Sequence, residues 1–288
     1  MSGEDRKPLS TEPYKGVRDF YPEDMAVQNH IFSMWKKVCE GFGYQEYAAS
    51  LLEPAELYRS KGSEEIVNEQ MFTFKDRGDR EVALRPEMTP SLARMVAARR
   101  KSLKFPLRWY TIANCFRYER PQRGRKREHW QLNADIMGVA GVEAEVEIIS
   151  LAYKIMKAFG AKDDDFLITL NDRGAMPNDR ALLRKADRGE AQLEVAESET
   201  VKKTLAALKL PNAVFDQNIV RGFDYYTGLV FEVFDTHTDN RRSLFGGGRY
   251  DNLLEMFGVD PVPTVGFGMG DVTIRDFLET HKLKPFDE

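Results

Sequence analysis

Six basic residues fall within eleven consecutive positions of the stretch FRYERPQRGRKREHWQLNADIMG, which runs from Phe116 to Gly138. They are Arg117, Arg120, Arg123, Arg125, Lys126 and Arg127. Guanidinium forks match phosphate oxygens in geometry and charge. Pro121 and Gly124 make the stretch a loop that presents those forks outward, which fits a nucleotide triphosphate, a nucleic-acid end, or both. Directly behind the loop the pattern alternates. His129, Gln131, Asn133, Asp135 and Met137 face one way, and Trp130, Leu132, Ala134 and Ile136 the other. A polar face on a strand with so apolar a back is costly unless those groups bind a ligand or each other. An ordinary exposed hairpin face would carry Lys, Glu or Thr. Gln131 and Asp135 lie two pleats apart, where one accepts a ligand's ammonium group and the other donates to its polar side chain.

Two further stretches carry suitable groups. LRPEMTP (84–90) sets a carboxylate, Glu87, two residues before a hydroxyl, Thr89. RGFDYYTG (221–228) sets Arg221 and Asp224 beside Tyr225 and Tyr226, fenced by glycines. Read as a strand, the two tyrosines point to opposite faces, one toward a site and one into packing. GFGMGD (266–271) lacks the GxGxxG spacing of a dinucleotide loop, and GGGRYD is followed by no GK[ST], so neither is a nucleotide motif of those kinds. Cys39 and Cys115 stand far apart with no CxxC, which argues against zinc and against a disulfide framework. His30 and His281 fall on helices with no partner close in sequence.

The elements that must position these groups follow from periodicity. A helix begins at Pro22, with Glu23 and Asp24 in its first turn, and ends at Gly41 and Gly43. Its stripe of Val27, Ile31, Met34, Trp35, Val38 and Phe42 reads as core, with Trp35 equally placed to face a partner subunit. Strand-like runs MFTFKD, REVALRP and LRWYTIANCFRY occupy 71–118. FRYE, the basic loop and HWQLNADIM make an antiparallel hairpin with a long connection, with Arg117 inside its first strand. A helix covers about 142–159. The highly charged stretch 172–209 reads as a small peripheral insertion. Strands return at 212–220 and 228–235, and VGFGMGDVTIRDFL is a glycine-rich strand running into a helix. Strands cluster in the middle without βαβ alternation, so the fold class is α+β with a mostly antiparallel sheet flanked by helices.

With 42% hydrophobic and 11% aromatic residues the chain can bury an ordinary core. A net charge of −4 excludes a global nucleic-acid binder, so any polyanion site is a local concentration of charge. The polar leader at 1–13 and the lack of any apolar run near twenty residues predict no signal peptide and no membrane span, and hence a cytoplasmic protein.

Five segments occur in the order found in histidyl-tRNA synthetases: KGVRDFYPED (15–24), LRPEMTP, FRYERPQRGRKREHWQLNAD, RGFDYYTG, and GGGRYDNL with VGFGMGD. They resemble the class II motifs and the two histidine-specific segments of that family over roughly 14–171 and 212–284. The resemblance implies a class II aminoacyl-tRNA synthetase catalytic fold over 14–288, dimeric through its first motif. It implies ATP and L-histidine as substrates with Mg2+, and the acceptor end of tRNA(His) as partner. By the same resemblance Arg117 holds the α-phosphate and the histidine carboxylate, and Arg221 reaches the α-phosphate. Glu119, His129, Arg125 and Arg127 serve adenine and the outer phosphates. Glu87, Thr89, Gln131 and Asp135 hold the ammonium group and nearby polar atoms. Tyr225, Tyr226 and Tyr250 line the imidazole pocket, and Arg123, Arg125, Lys126 and Arg127 meet the tRNA acceptor end.

The chain departs from the family's pattern in three places. Thr273 stands where the third motif ends in an arginine, and Arg275, two residues on, points about 200° away on a helix. The insertion before RGFDYYTG is short, and the anticodon-binding domain is expected to be missing. A non-catalytic paralogue, the regulatory subunit of ATP phosphoribosyltransferase, shares the fold but has no need of Arg221 or of the complete RGFDYYTG, both present here. A plain RNA-binding module leaves Gln131, Asp135 and the tyrosines unexplained.

Overall fold

The computed structural model of the chain describes residues 8–60, 66–240 and 242–286. Of the leader expected at 1–13, residues 8–13 are exposed and residues 1–7 lie outside the described residues. The strands are β1 (Gln45–Glu46), β2 (Leu52–Pro54), β3 (Phe72–Lys75), β4 (Glu81–Leu84), β5 (Leu107–Phe116), β6 (Glu128–Met137), β7 (Phe166–Asp172), β8 (Ala213–Phe215), β9 (Leu229–Asp235), β10 (Ser243–Arg249) and β11 (Thr264–Gly270). The helices are α1 (Pro22–Gly41), α2 (Glu56–Arg59), α3 (Thr89–Arg99), α4 (Glu143–Ala158), α5 (Arg180–Asp187), α6 (Glu199–Leu208) and α7 (Asp271–Thr280).

Eight strands form one sheet in the order β1-β5-β6-β11-β10-β9-β7-β8, and β2-β4-β3 form a small second sheet. Within the large sheet β1 runs parallel to β5 and β8 parallel to β7, while every other pairing is antiparallel. The alternation at 129–137 becomes β6, whose Trp130, Leu132, Ala134 and Ile136 turn toward the helices. Trp35 is fully buried there, its indole Nε1 donating to Met269 Sδ at 3.0 Å, so this ring belongs to the core and not to an outer surface. Ile148, Ile149, Ala152 and Met156 of α4 complete the same core. The isoleucines and Met156 each contribute roughly 1.5–3 kcal/mol by leaving water, which makes this layer the rigid backing of the sheet's polar face.

Four expectations need correction. First, the strand read at 212–220 ends at Phe215. Past the Asp216 N–H, which still donates to the Leu170 carbonyl, the chain turns, and Asn171 Nδ2 donates to the carbonyls of Gln217 and Ile219. Second, RGFDYYTG contains no strand. Third, Arg117 lies one residue beyond β5. Fourth, the charged stretch 172–209 is less peripheral than its composition suggests. Val201 and Leu208 of α6 enter the main core, and Leu183 and Ala186 of α5 join a second apolar cluster with Tyr225, Tyr226 and Tyr250. Short amphipathic helices bury few residues while leaving charge outside, and that is why composition alone hides their packing.

Candidate active site

The polar face of the sheet forms the floor of a cleft of about 680 Å³. Register explains why there is room. Gly266 stands opposite Asp135, Gly268 opposite Asn133, and Gly270 opposite Gln131. On the next strand Gly248 faces Gly266 and Gly246 faces Gly268. The ligand-facing positions of β10 and β11 are therefore bare, and the side chains of their neighbours fold over them. A Cβ on Gly266 would fall 1.9 Å from Asp135 Oδ1, and one on Gly246 would fall 2.8 Å from Arg221 Nη1.

At one end of the cleft two buried carboxyls stand near three tyrosines. Glu87, in the turn before α3, accepts a hydrogen bond from Tyr225 Oη at 3.1 Å, while its Oε1 is buried without a hydrogen-bond partner. Asp135 Oδ1 accepts from Tyr250 Oη, and its Oδ2 is likewise buried and unpartnered. The rings of Tyr225 and Tyr250 meet edge-on at 5.5 Å, and those of Tyr225 and Tyr226 lie 5.0 Å apart. Because RGFDYYTG is a turn, both adjacent tyrosines reach the cleft, contrary to the single one a strand would supply. Thr89, at the start of α3, lines the same end. Two carboxylate oxygens without donors, framed by aromatic rings, make a receptor for a small cation with a planar ring.

Burial pushes the Glu87 carboxyl from 4.5 up to about 7, with Arg117 and Tyr225 pulling against it. Burial likewise pushes Asp135 from 3.8 up to about 7, with Tyr250 opposing. Both folded-state values lie above the unfolded ones, so the folded chain holds protons that the unfolded chain has released between about pH 4 and 7. Their contribution to stability is complete below that window and is lost as pH rises through about 7. The ligand-free protein is therefore expected to lose thermal stability from about pH 5.5 to about pH 8, and Glu87→Gln to flatten that decline. Melting curves across this range check it. An unchanged slope in the variant would place the titration elsewhere.

The other end of the cleft is cationic. Arg117 lines it, with its Nε donating to the Pro86 carbonyl at 2.9 Å. Arg221 sits at φ +61°, a left-handed conformation that costs a non-glycine residue on the order of 1–3 kcal/mol. Its Nη1 donates to Glu232 Oε1 at 2.6 Å, and its Nε is buried without a partner. Arg125 and Lys126 reach the rim, and Arg125 Nε lies 3.8 Å from Glu119 Oε2. His129 and Gln131 lie between the two ends, with Gln131 Nε2 donating to Asn133 Oδ1 at 2.8 Å. Burial, then Arg117 and Arg18, lower the imidazole of His129 to about 3, which keeps it neutral.

Arg127, expected at the ATP, and Arg123, expected only at the tRNA acceptor end, do not line the cleft. Arg123 is turned onto α7, where Nε donates to Asp276 at 2.9 Å and Nη2 to Thr280 Oγ1 at 3.3 Å. Arg127 is buried, its guanidinium 3.8 Å over the Tyr118 ring and its Nη1 donating to Tyr14 Oη at 2.9 Å. A run of like charges is relieved when alternate members find internal acceptors, and these two do. Thr273 lines the cleft and donates to the Leu244 carbonyl at 2.7 Å. Arg275 faces away, as helical geometry predicts, and pairs with Asp24 at 3.1 Å and Glu279 at 3.0 Å. Sequence reading missed Glu232 in the site, although a lone acid in the apolar run LVFEVF was a usable sign.

The sequence model of the family described as histidyl-tRNA synthetase matches residues 16–172 and 165–272. The histidine–tRNA ligase of Leptospira biflexa is 43% identical over 332 aligned residues, covering 96% of the chain and 76% of that relative. That alignment is longer than the chain's 288 residues, so the relative carries internal residues that this chain lacks. Apo histidyl-tRNA synthetase from S. aureus superposes with a TM-score of 0.74 at 26% identity, over 96% of the chain and 72% of that structure. A Bacillus halodurans protein described as an ATP phosphoribosyltransferase regulatory subunit/histidyl-tRNA synthetase shares the fold, with a TM-score of 0.78 at 24% identity over 95% of the chain and 84% of its own.

Proposed function

The chain belongs to the histidyl-tRNA synthetase family, and from that premise we infer that it is a histidine–tRNA ligase, activating L-histidine with ATP and transferring it to the 3′ end of tRNA(His). The observation that carries this reading to the site is the pair of buried, unpartnered carboxylate oxygens of Glu87 and Asp135 beside three tyrosines. They suit the ammonium and imidazole groups of one amino acid.

In this reading Glu87, Thr89 and Gln131 take the ammonium group, and Asp135 with Tyr225, Tyr226 and Tyr250 takes the imidazole. Arg117 and Arg221 flank the carboxylate and the α-phosphate. The carboxylate oxygen attacks the α-phosphorus and pyrophosphate leaves, giving the mixed anhydride with AMP. A terminal ribose hydroxyl of the tRNA then attacks the anhydride carbonyl and AMP leaves. Neither step needs a covalent enzyme intermediate. Catalysis is positioning plus neutralisation of charge at phosphorus, the work of preorganised guanidinium groups. His129, kept neutral, meets adenine, and Arg125 and Lys126 meet the outer phosphates and the tRNA acceptor end.

ATP would bring Mg2+, a cation that a carboxylate beside the phosphates would help to hold. Glu119 fits that role, since its Oε2 is buried without a hydrogen-bond partner at the cationic end of the cleft. The metal's contribution there is charge neutralisation on the phosphate oxygens. Among the described residues no helix is long and apolar enough to cross a membrane, which is in keeping with action in the cytoplasm. The exposed apolar side chains of Leu51, Leu52 and Phe74, on or beside the small sheet, support a second copy of the chain as partner in a homodimer.

Incubation with ATP, Mg2+, labelled L-histidine and tRNA(His) is expected to give label joined to tRNA through an alkali-labile ester. No ATP-dependent ester under these conditions would contradict the transfer step.

A further inference from the structure

Arg127 belongs to the basic loop yet does not line the cleft, and its partners define a structural feature of their own. Its backbone N–H donates to the Gly16 carbonyl at 2.8 Å, and its carbonyl accepts from Arg117 N–H at 2.8 Å. Its guanidinium lies between Tyr118 and Tyr14, and its Nε donates to the Glu119 carbonyl at 3.2 Å. Gly16 sits at φ +89°, and a Cβ there would fall 2.8 Å from Arg127 Cγ and 3.0 Å from Pro121 Cγ. Residues 14–16 therefore lie tight against the base of the loop.

Two residues on, Arg18 Nη2 pairs with Asp271 Oδ2 at 2.7 Å. Asp271 is fully buried at the start of α7. It also accepts from Gln28 Nε2 at 3.0 Å and, through Oδ1, from the Trp130 N–H at 2.8 Å. The β6–β11 ladder ends at the pair Gly270 and Gln131. The Asp271 carboxylate thus takes the next N–H of β6, between His129 and Gln131. This bond fixes the β6 backbone on the side away from β5, directly beside His129, which the β5 ladder holds opposite Cys115.

We propose that residues 14–18 form a strap that positions the nucleotide end of the cleft, holding Glu119 and Arg117 through Arg127 and holding His129 through Arg18 and Asp271. These are positioning residues, since none of them lines the cleft, and the proposal rests on the reading of that end as the ATP site. A strand terminus and a loop base fixed at points two to four residues apart in one segment move together, so loosening either end blurs the geometry offered to ATP while leaving the carboxyl end intact.

The test measures binding of ATP with Mg2+ and of L-histidine separately, by calorimetry on the full chain. Gly16→Ala and Arg18→Met are expected to weaken ATP by about tenfold or more, and histidine by no more than about twofold. Arg18→Lys, which restores the charge opposite Asp271, is expected to recover most of the loss. Tyr14→Phe removes one hydrogen bond from an exposed residue and guards against a variant that fails to fold. It should weaken ATP about three- to tenfold. Unchanged ATP binding in Gly16→Ala and Tyr14→Phe, or histidine binding that falls in step with ATP, would overturn the strap. If the unaltered protein binds ATP but forms no adenylate, the functional reading fails while the strap stands or falls on the same titrations.

Discussion

Replacing Arg221 with alanine is expected to slow adenylate formation by on the order of 10²–10³, with histidine affinity changed only a few-fold. The strain at φ +61° is a cost the fold carries, and what it obtains is a guanidinium laid across bare Gly246 toward the cationic end. Glu232 holds one nitrogen at 2.6 Å and leaves the buried Nε without an acceptor. A charge fixed in this way needs little reorganisation when negative charge builds on the α-phosphate, so its benefit falls on the transition state. Arg221→Lys keeps a cation but loses the fork, and should recover part of the rate. Pre-steady-state adenylate formation alongside histidine titrations checks this. A loss of histidine binding equal to the loss of rate would make Arg221 a substrate clamp.

Gly266→Ala is expected to weaken histidine binding by on the order of 10² or more while the protein still folds. The added Cβ would fall 1.9 Å from Asp135 Oδ1 and 2.9 Å from the Ala134 carbonyl, so the carboxylate must leave its position under Tyr250. ATP binding at the other end should change little. Gly41→Ala is the matched control, because a Cβ there meets nothing within 4 Å. Histidine binding in Gly266→Ala within about threefold of the unaltered protein would mean that Asp135 does not touch the amino acid.

Much of this site was legible before any coordinates, and the reasons are local. Alternation at 129–137 has only one extended solution once Trp130 and Leu132 need a core, so His129, Gln131 and Asp135 had to share a face. The direction of Arg275 followed from helical pitch alone. What escaped depends on contacts distant in sequence. Arg123 and Arg127 look like their neighbours until Asp276, Thr280 and Tyr14 are brought to them. The resemblance implies both Tyr225 and Tyr226 in the pocket, but the strand reading of RGFDYYTG hides how: a turn, not a pleat, carries the two rings to the cleft. The helix α3 falls inside 71–118, where the sequence reads as strand-like runs only; Pro90 stands in its first turn, where proline is tolerated. VGFGMGD reads as a glycine-rich strand and is one, but only its register with β6 and β10 reveals the glycines as a floor.

The most direct measurement is ATP–pyrophosphate exchange in the absence of tRNA. Exchange that requires L-histidine and Mg2+, and that no other amino acid supports, is the predicted result, because the carboxyl pair and the tyrosines recognise ammonium and imidazole together. Exchange that stays at background with millimolar L-histidine, in protein that binds both ATP and histidine, would contradict the account and leave a histidine-sensing relative of the synthetases in its place.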